Sequence, residues 1–256
     1  EVPTDKGLNR VIKVDEAKLG VHIKVNKTAK TLTVSDNGIG MTRQEVIDNI
    51  GTIARSGSRA FLEKLSGDQK ADSNLIGQFG VGFYSVFMVS SRVKLVTRRA
   101  GSDEPAVGWE SDGESEYTIA ETEKDGPGTD ITLYLSDEGS AYAQDWEIRS
   151  IIKKYSDFIA FPIYLPNEKG KEETVNETKP LWKRPASEIE REQYEQFYQQ
   201  ALGGIDEPLE VVHTKAEGVM EYSSLLFIPG KLSFDLLTFE RKHGVKLYVK
   251  RVFIMD

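Results

Sequence analysis

Cysteine is absent from the 256 residues. That excludes disulfides and thiolate metal sites, and it fits a reducing compartment. Histidine is scarce: His22, His213 and His243 lie far apart, without ligand-like spacing, and each is expected to be structural or at the surface. No apolar run approaches the ~18 residues of a membrane-spanning helix, and no signal peptide is visible. A surplus of positive charge is missing as well. Net charge is −8, whereas nucleic acid or an anionic membrane requires a concentrated basic face, so neither is expected as a partner. No Ser/His/Asp triad, metal cluster or paired-carboxylate site stands out. The chain opens on Glu1 rather than Met, and it is expected to be part of a longer protein.

What is present is ordinary globular material, 39% hydrophobic and 29% charged. Its length exceeds the usual size of one compact core, so two domains are expected. VHIKV and TLTVS alternate over 21–35 and predict a hairpin. Further strands are predicted at 91–99, 107–112, 115–121 and 129–135, separated by Gly, Asp and Pro turns. Strands in succession point to an antiparallel sheet and an α+β class. Residues 145–160 predict an amphipathic helix, with Ile148, Ile151, Ile152, Tyr155, Phe158 and Ile159 on one face. The run FYSVFMV predicts a buried helix. NEKGKEETVNETKP has little to bury and reads as a charged linker over 167–180. It divides a first domain, 1–166, from the start of a second, 181–256. There Ser187 and Glu190 form a predicted capping box ahead of a helix bearing Tyr194, Phe197, Tyr198 and Ala201. Strand-like runs follow at 209–214, 221–228 and 245–254.

Two glycine-rich motifs carry possible chemistry. The second strand of the hairpin runs into Asp36-Asn37-Gly38-Ile39-Gly40-Met41. A carboxylate at a strand end, in a bend lined by Gly38 and Gly40, can accept from an exocyclic amine. Such a charge-assisted bond is worth about 1.5–3 kcal/mol and favours adenine over guanine. A plain Asp-Asn-Gly turn explains the same residues. Downstream, Gly77-Gln78-Phe79-Gly80-Val81-Gly82 enters an apolar segment. Its N–H groups could converge on a phosphate, or its glycines could simply permit tight packing under Phe83–Val89. The spacing is neither a dinucleotide fingerprint nor a Walker loop. Between the motifs, Thr42 and Glu45 form a capping box, and Asn49, Arg55 and Ser56 follow within reach of sugar or phosphate. The polar residues of 51–76 read as a mobile lid. Glu45 and Asn49 mimic a base and metal-ligand pair, but Glu45 is better explained by the cap. Thr129 offers a hydroxyl at a strand start.

SDNGIGMTRQEVIDNIGTIARSGSRAF and NLIGQFGVGFYSVF closely resemble the heat-shock protein 90 chaperone family, within the gyrase, histidine-kinase and mismatch-repair ATPase superfamily. KYSDFIAFPIYL, KPLW and LYVKRVFIMD resemble later parts of the same family. The likeness covers nearly the whole chain and is strongest to the bacterial cytosolic form. It implies a two-layer α/β sandwich of the Bergerat ATP-binding type, with an antiparallel-rich mixed sheet, followed by part of an α/β middle domain. It implies Asp36 as adenine reader, assisted by Thr129 and a water, with Met41 and Phe83 as apolar walls. Asn49 and Arg55 would contact sugar and phosphate, and Gly77 to Gly82 would form the phosphate loop. Arg55 stands where a Lys is common.

The family's catalytic Glu and its Mg²⁺-holding Asn lie on a helix upstream of the DNGIG strand. EVPTDKGLNRVIKVDEAKLG contains no Glu-x-x-x-Asn-x-x-Asp pattern, so these groups, and a middle-domain Arg, are expected outside this chain. The resemblance implies an ATP-dependent, heat-shock-responsive cytoplasmic chaperone. ATP or ADP with Mg²⁺ would be its cofactor, and it would act as a homodimer on unfolded or near-native client proteins, with co-chaperones possible. The chain by itself is expected not to hydrolyse ATP. A non-hydrolysing nucleotide- or protein-binding module is the alternative.

Overall fold

Strict alternation of apolar and polar residues gives a strand one buried and one wet face. The computed structural model describes residues 19–51, 82–114, 116–218, 221–231 and 245–255. Its contacts divide the chain into two compact units, Glu1–Asn176 and Glu177–Asp256.

The first unit is built on one eight-stranded sheet. Its strands are β1 (Val21–Asn26), β2 (Thr31–Asp36), β3 (Ser90–Arg98), β4 (Ala106–Ser111), β5 (Tyr117–Thr122), β6 (Gly128–Leu135), β7 (Ile163–Pro166) and β8 (Glu172–Thr174). Their order is β5-β4-β3-β6-β2-β1-β7-β8. Only β1 and β7 run parallel; every other neighbouring pair is antiparallel. Register puts Ile23, Val34, Ile131, Leu95, Trp109 and Ile119 in one row across six strands. The adjacent row, on the opposite face, reads Lys24, Thr33, Thr132, Lys94, Glu110 and Thr118.

The described helices α1 (Arg43–Asn49) and α2 (Asp145–Ile151) pack on the apolar face. Val46, from α1, is fully buried against Val93, Leu95, Val107, Trp109 and Leu133. Ile148, from α2, and Ile152 pack with Ile23, Ile163, Leu165 and Val175. The result is the α+β, two-layer sandwich expected from the sequence. The capping box of α1 forms as read: Thr42 Oγ1 accepts from Glu45 N–H at 3.3 Å, and Glu45 Oε2 accepts from Thr42 N–H at 2.8 Å. The predicted helix at 145–160 is α2 continued by a wider turn over Ile152–Ser156. Ile148, Ile152 and Phe158 are buried on its inner side, but Tyr155 is exposed.

Two expectations need revision here. FYSVFM is not a buried helix but a 3₁₀ segment, Phe83–Met88, with no fully buried residue and Met88 79% exposed. β3 begins at Ser90, so the chain has room only for tight i→i+3 turns. The charged stretch 167–180 does not stand apart from the sheet. Asn167 closes a turn by accepting from the Lys169 and Lys171 N–H groups, and Glu172–Thr174 pairs with β7 as the edge strand. Edge strands tolerate exposed charge. Asn176 is buried; its Oδ1 accepts from Ile163 N–H at 2.7 Å, and its Nδ2 donates to the Phe161 carbonyl at 3.0 Å.

In the second unit, α3 (Arg191–Leu202) buries Tyr194 and Tyr198 and ends on Gly203 in the left-handed region. The helix cap falls on Glu190, whose N–H donates to Gln193 Oε1, and not on Ser187. Ala186–Glu188 instead makes a 3₁₀ turn after Pro185, and Ile189 is extended. A hairpin of β9 (Pro208–Ala216) and β10 (Tyr222–Pro229) lies against α3 through Phe227, whose ring stacks with Phe197 and Tyr198. β11 (Leu247–Val249) and β12 (Val252–Met255) form a second hairpin. His213 bonds Tyr194 and His22 bonds Glu172, so both hold structural or surface contacts. His243 lies outside the described residues.

Candidate functional site

Asp36 is the last residue of β2 and stands directly across from Thr129 on β6. Its Oδ1 accepts from the Gly38 N–H at 2.8 Å. Burial pushes the Asp36 carboxyl above its usual range, and the Gly38 and Thr129 N–H donors and the nearby Lys124 cation work against that rise. Lys124 is itself anchored, 2.6 Å from Asp130 Oδ2. A half-buried carboxylate held by the Gly38 N–H, with Thr129 directly across, is an acceptor surface.

The following bend is tied to the end of β3. Asn37 Oδ1 accepts from the Gly20 N–H. The Ile39 carbonyl accepts from Ala100 N–H at 2.8 Å. Arg99 Nη1 donates to the Gly40 carbonyl at 3.2 Å and lies 3.5 Å from Glu45. Gly40 has φ +61°, and a Cβ there would overlap the Arg98 carbonyl oxygen. Gly128, with φ +116°, presses against the Asp36 carbonyl in the same way. Only glycine fits either position.

Beneath the bend lies Thr97, which is fully buried. Its Oγ1 donates to the Gly128 carbonyl at 3.0 Å, accepts from Met41 N–H at 3.0 Å, and sits 3.0 Å from Thr129 Oγ1. Met41 and Phe83 are partly buried against the same core cluster. Phe83 meets Trp109 edge to face, with centroids 5.7 Å apart. Asn49 ends α1, and the Tyr84 hydroxyl donates to the Ile50 carbonyl at 2.6 Å. That bond ties the residues after Gly82 to the C-terminal end of α1.

The structure therefore gathers Asp36, Gly38, Gly40, Met41 and Thr129 around one bend. It links the Gly82–Phe83 segment to the Asn49 end of α1. Arg55, Ser56, Gly77, Gln78, Phe79, Gly80 and Val81, and the lid read at 51–76, fall outside the described residues apart from Gly51. Sequence reasoning missed Thr97, Arg99 and Lys124. Thr97 had a signal: it occupies the inward phase of β3 with Val93 and Leu95, a polar residue in an apolar alternation. The pairing of Arg99 and Lys124 had none.

An exocyclic amine facing Asp36 would find an acceptor there. Among the described residues no group of three or more His, Asp or Glu side chains is placed to hold a metal ion.

Residues 13–124 match the family model of the histidine kinase-, DNA gyrase B- and HSP90-like ATPases, and residues 167–256 match that of the Hsp90 protein. The chaperone protein HtpG of Nitrosomonas eutropha is 50% identical over 250 residues, covering 93% of this chain and 39% of that protein. HtpG of Escherichia coli O1:K1 is 49% identical over 249 residues, covering 94% and 40%. HtpG of Hydrogenovibrio crunogenus is 48% identical, covering 97% and 41%.

The chain belongs to the Hsp90 family.

It spans about two fifths of the length of the curated relatives it matches. The ATPase model runs across β1 to β5 and so includes the Asp36 bend. The Hsp90 model takes in β8 and the whole second unit. Among the described residues no helix is long and apolar enough to cross a membrane.

Proposed function

We propose that this Hsp90-family chain is the nucleotide-binding part of an ATP-dependent molecular chaperone. Asp36 carries the reading: a half-buried carboxylate at a strand end, bonded by the Gly38 N–H, with the buried Thr129 directly across from it. It would accept from the exocyclic amine of adenine, assisted by Thr129 and by a bound water. Met41 and Phe83 would flank the ring. Asn49, Arg55 and Ser56 would reach sugar and phosphate, and Gly77 to Gly82 would hold the phosphates.

The first unit then serves as the ATP-binding domain and the second as the start of a middle domain. In the complete protein, ATP would close a lid and drive clamping of a cytoplasmic homodimer on unfolded or near-native clients. Slow Mg²⁺-dependent hydrolysis would reset the clamp. ATP would be the switch and the lid the two-state element. Calorimetric titration with ADP tests the base of this scheme. Asp36→Asn should weaken binding by roughly 10- to 100-fold, the equivalent of one charge-assisted bond. Unchanged affinity in that variant, or no binding by the wild type, would refute it.

A further inference from the structure

The Thr97 hydroxyl has one proton and three oxygen or nitrogen neighbours at 3.0 Å: the Met41 N–H, the Gly128 carbonyl and the Thr129 hydroxyl. The Met41 N–H can only donate, and the Gly128 carbonyl can only accept. If Thr97 gave its proton to Thr129, its contact with the Gly128 carbonyl would be two lone-pair oxygens at hydrogen-bond distance with no proton between them. If Thr97 gives it to Gly128, the third contact is filled by the proton of Thr129, and all three contacts become bonds. Buried polar groups take the arrangement that satisfies them all. The direction of both protons follows, and Thr129 keeps only lone pairs for anything else.

We infer that Thr97 is a specificity-determining positioning residue: it locks the Thr129 hydroxyl as an acceptor, so that Thr129 and Asp36 together admit a donor edge and reject a carbonyl. Thr97 reaches no ligand itself. It acts by fixing a proton in a place where the ligand cannot turn it. A site of acceptors on both sides suits a 6-amino purine whose amine meets the hydroxyl directly. A 6-oxo purine would set its carbonyl oxygen against a carboxylate and a hydroxyl that has no proton to offer. The inference rests on the adenine reading of the site and adds the source of its selectivity.

The test compares ADP with inosine diphosphate, which carries O6 in place of the amine, by calorimetry on the complete polypeptide. Wild type, Thr97→Ser and Thr97→Val are titrated with both. The wild type and Thr97→Ser should share one ADP preference. In Thr97→Val the freed Thr129 hydroxyl can donate, and the preference should fall about tenfold, the worth of one hydrogen bond. Equal weakening of both ligands, or an unchanged ratio, would mean that Thr97 only supports the fold and would overturn the inference. A wild type that binds neither ligand would overturn the adenine reading with it. Neutron diffraction of deuterium-exchanged wild-type crystals needs no variant. A deuteron on Thr97 directed at the Gly128 carbonyl supports the inference, and one directed at Thr129 overturns it.

Discussion

Asp36 and Thr129 face each other across the β2–β6 pair, and the Thr129 N–H works against the rise that burial brings to the Asp36 pKa. One strand thus supplies the charge and its neighbour supplies a threonine directly across from it. Because burial lifts the Asp36 pKa, that charge is sensitive to acid.

The first prediction concerns binding and pH. Ionised Asp36 accepts from an amine more strongly than the protonated acid does. Adenine-nucleotide affinity should therefore fall as pH drops through the raised Asp36 pKa, earlier in an acid titration than for an ordinary aspartate. Calorimetry from pH 7 downward in closely spaced steps checks this. Affinity that stays constant until the ordinary carboxylate range would contradict it.

A second prediction concerns the ligand-free protein. A carboxyl whose pKa is raised on folding is held more tightly as the neutral acid. Its contribution to stability is complete below the unfolded value, near 3.8, and is lost as pH rises through the folded value. At neutral pH the ionised side chain therefore costs stability. Asp36→Asn should melt at or above the wild-type temperature at pH 7, yet lose the upward shift that ADP gives the wild type. A variant that melts well below wild type would show that the carboxylate stabilises the fold.

Gly40 provides a third. Its φ of +61° and its approach to the Arg98 carbonyl leave no space for a methyl group. Gly40→Ala should cost at least about 2 kcal/mol in denaturant unfolding. It should also weaken nucleotide binding, because the bend that carries Asp36 must shift.

Asn176 provides a fourth. One buried amide serves the Ile163 N–H and the Phe161 carbonyl. Asn176→Ala should cost about 2–4 kcal/mol, since two buried backbone groups lose their partner. Hydrogen exchange should locate the loss at Ile163, while the Asp36 bend keeps its protection.

Much of this was legible in the chain. Strands β1 to β6 follow from period-two alternation, because one face of the sheet is dry and the other wet. The Thr42–Glu45 cap follows from spacing alone. The 3₁₀ segment at Phe83–Met88 was hidden because an apolar run reads alike whether or not a helix has room to form. β8 was hidden because an edge strand and a linker can share a charged composition. In the site, Asp36 and its glycines announce a bend, but nothing local ties it to Thr97, some sixty residues away, for only the β3–β6 register brings that hydroxyl underneath.

The parallel pairing of β1 with β7 bears on how the chain assembles. β1 enters the sheet near the start of the described residues, and among those residues one of its two edges is met by Ile163 and Tyr164 alone. As the chain leaves the ribosome, the β1–β2 hairpin must wait first for β6 and then for β7, and until the last strands emerge an apolar strand keeps a row of unpaired backbone groups. Such late closure slows folding and exposes the intermediate to wrong partners. The sheet that carries the nucleotide site is thus a risk while it is being made, sealed by the same short β7–β8 hairpin whose charged outer strand then guards its edge.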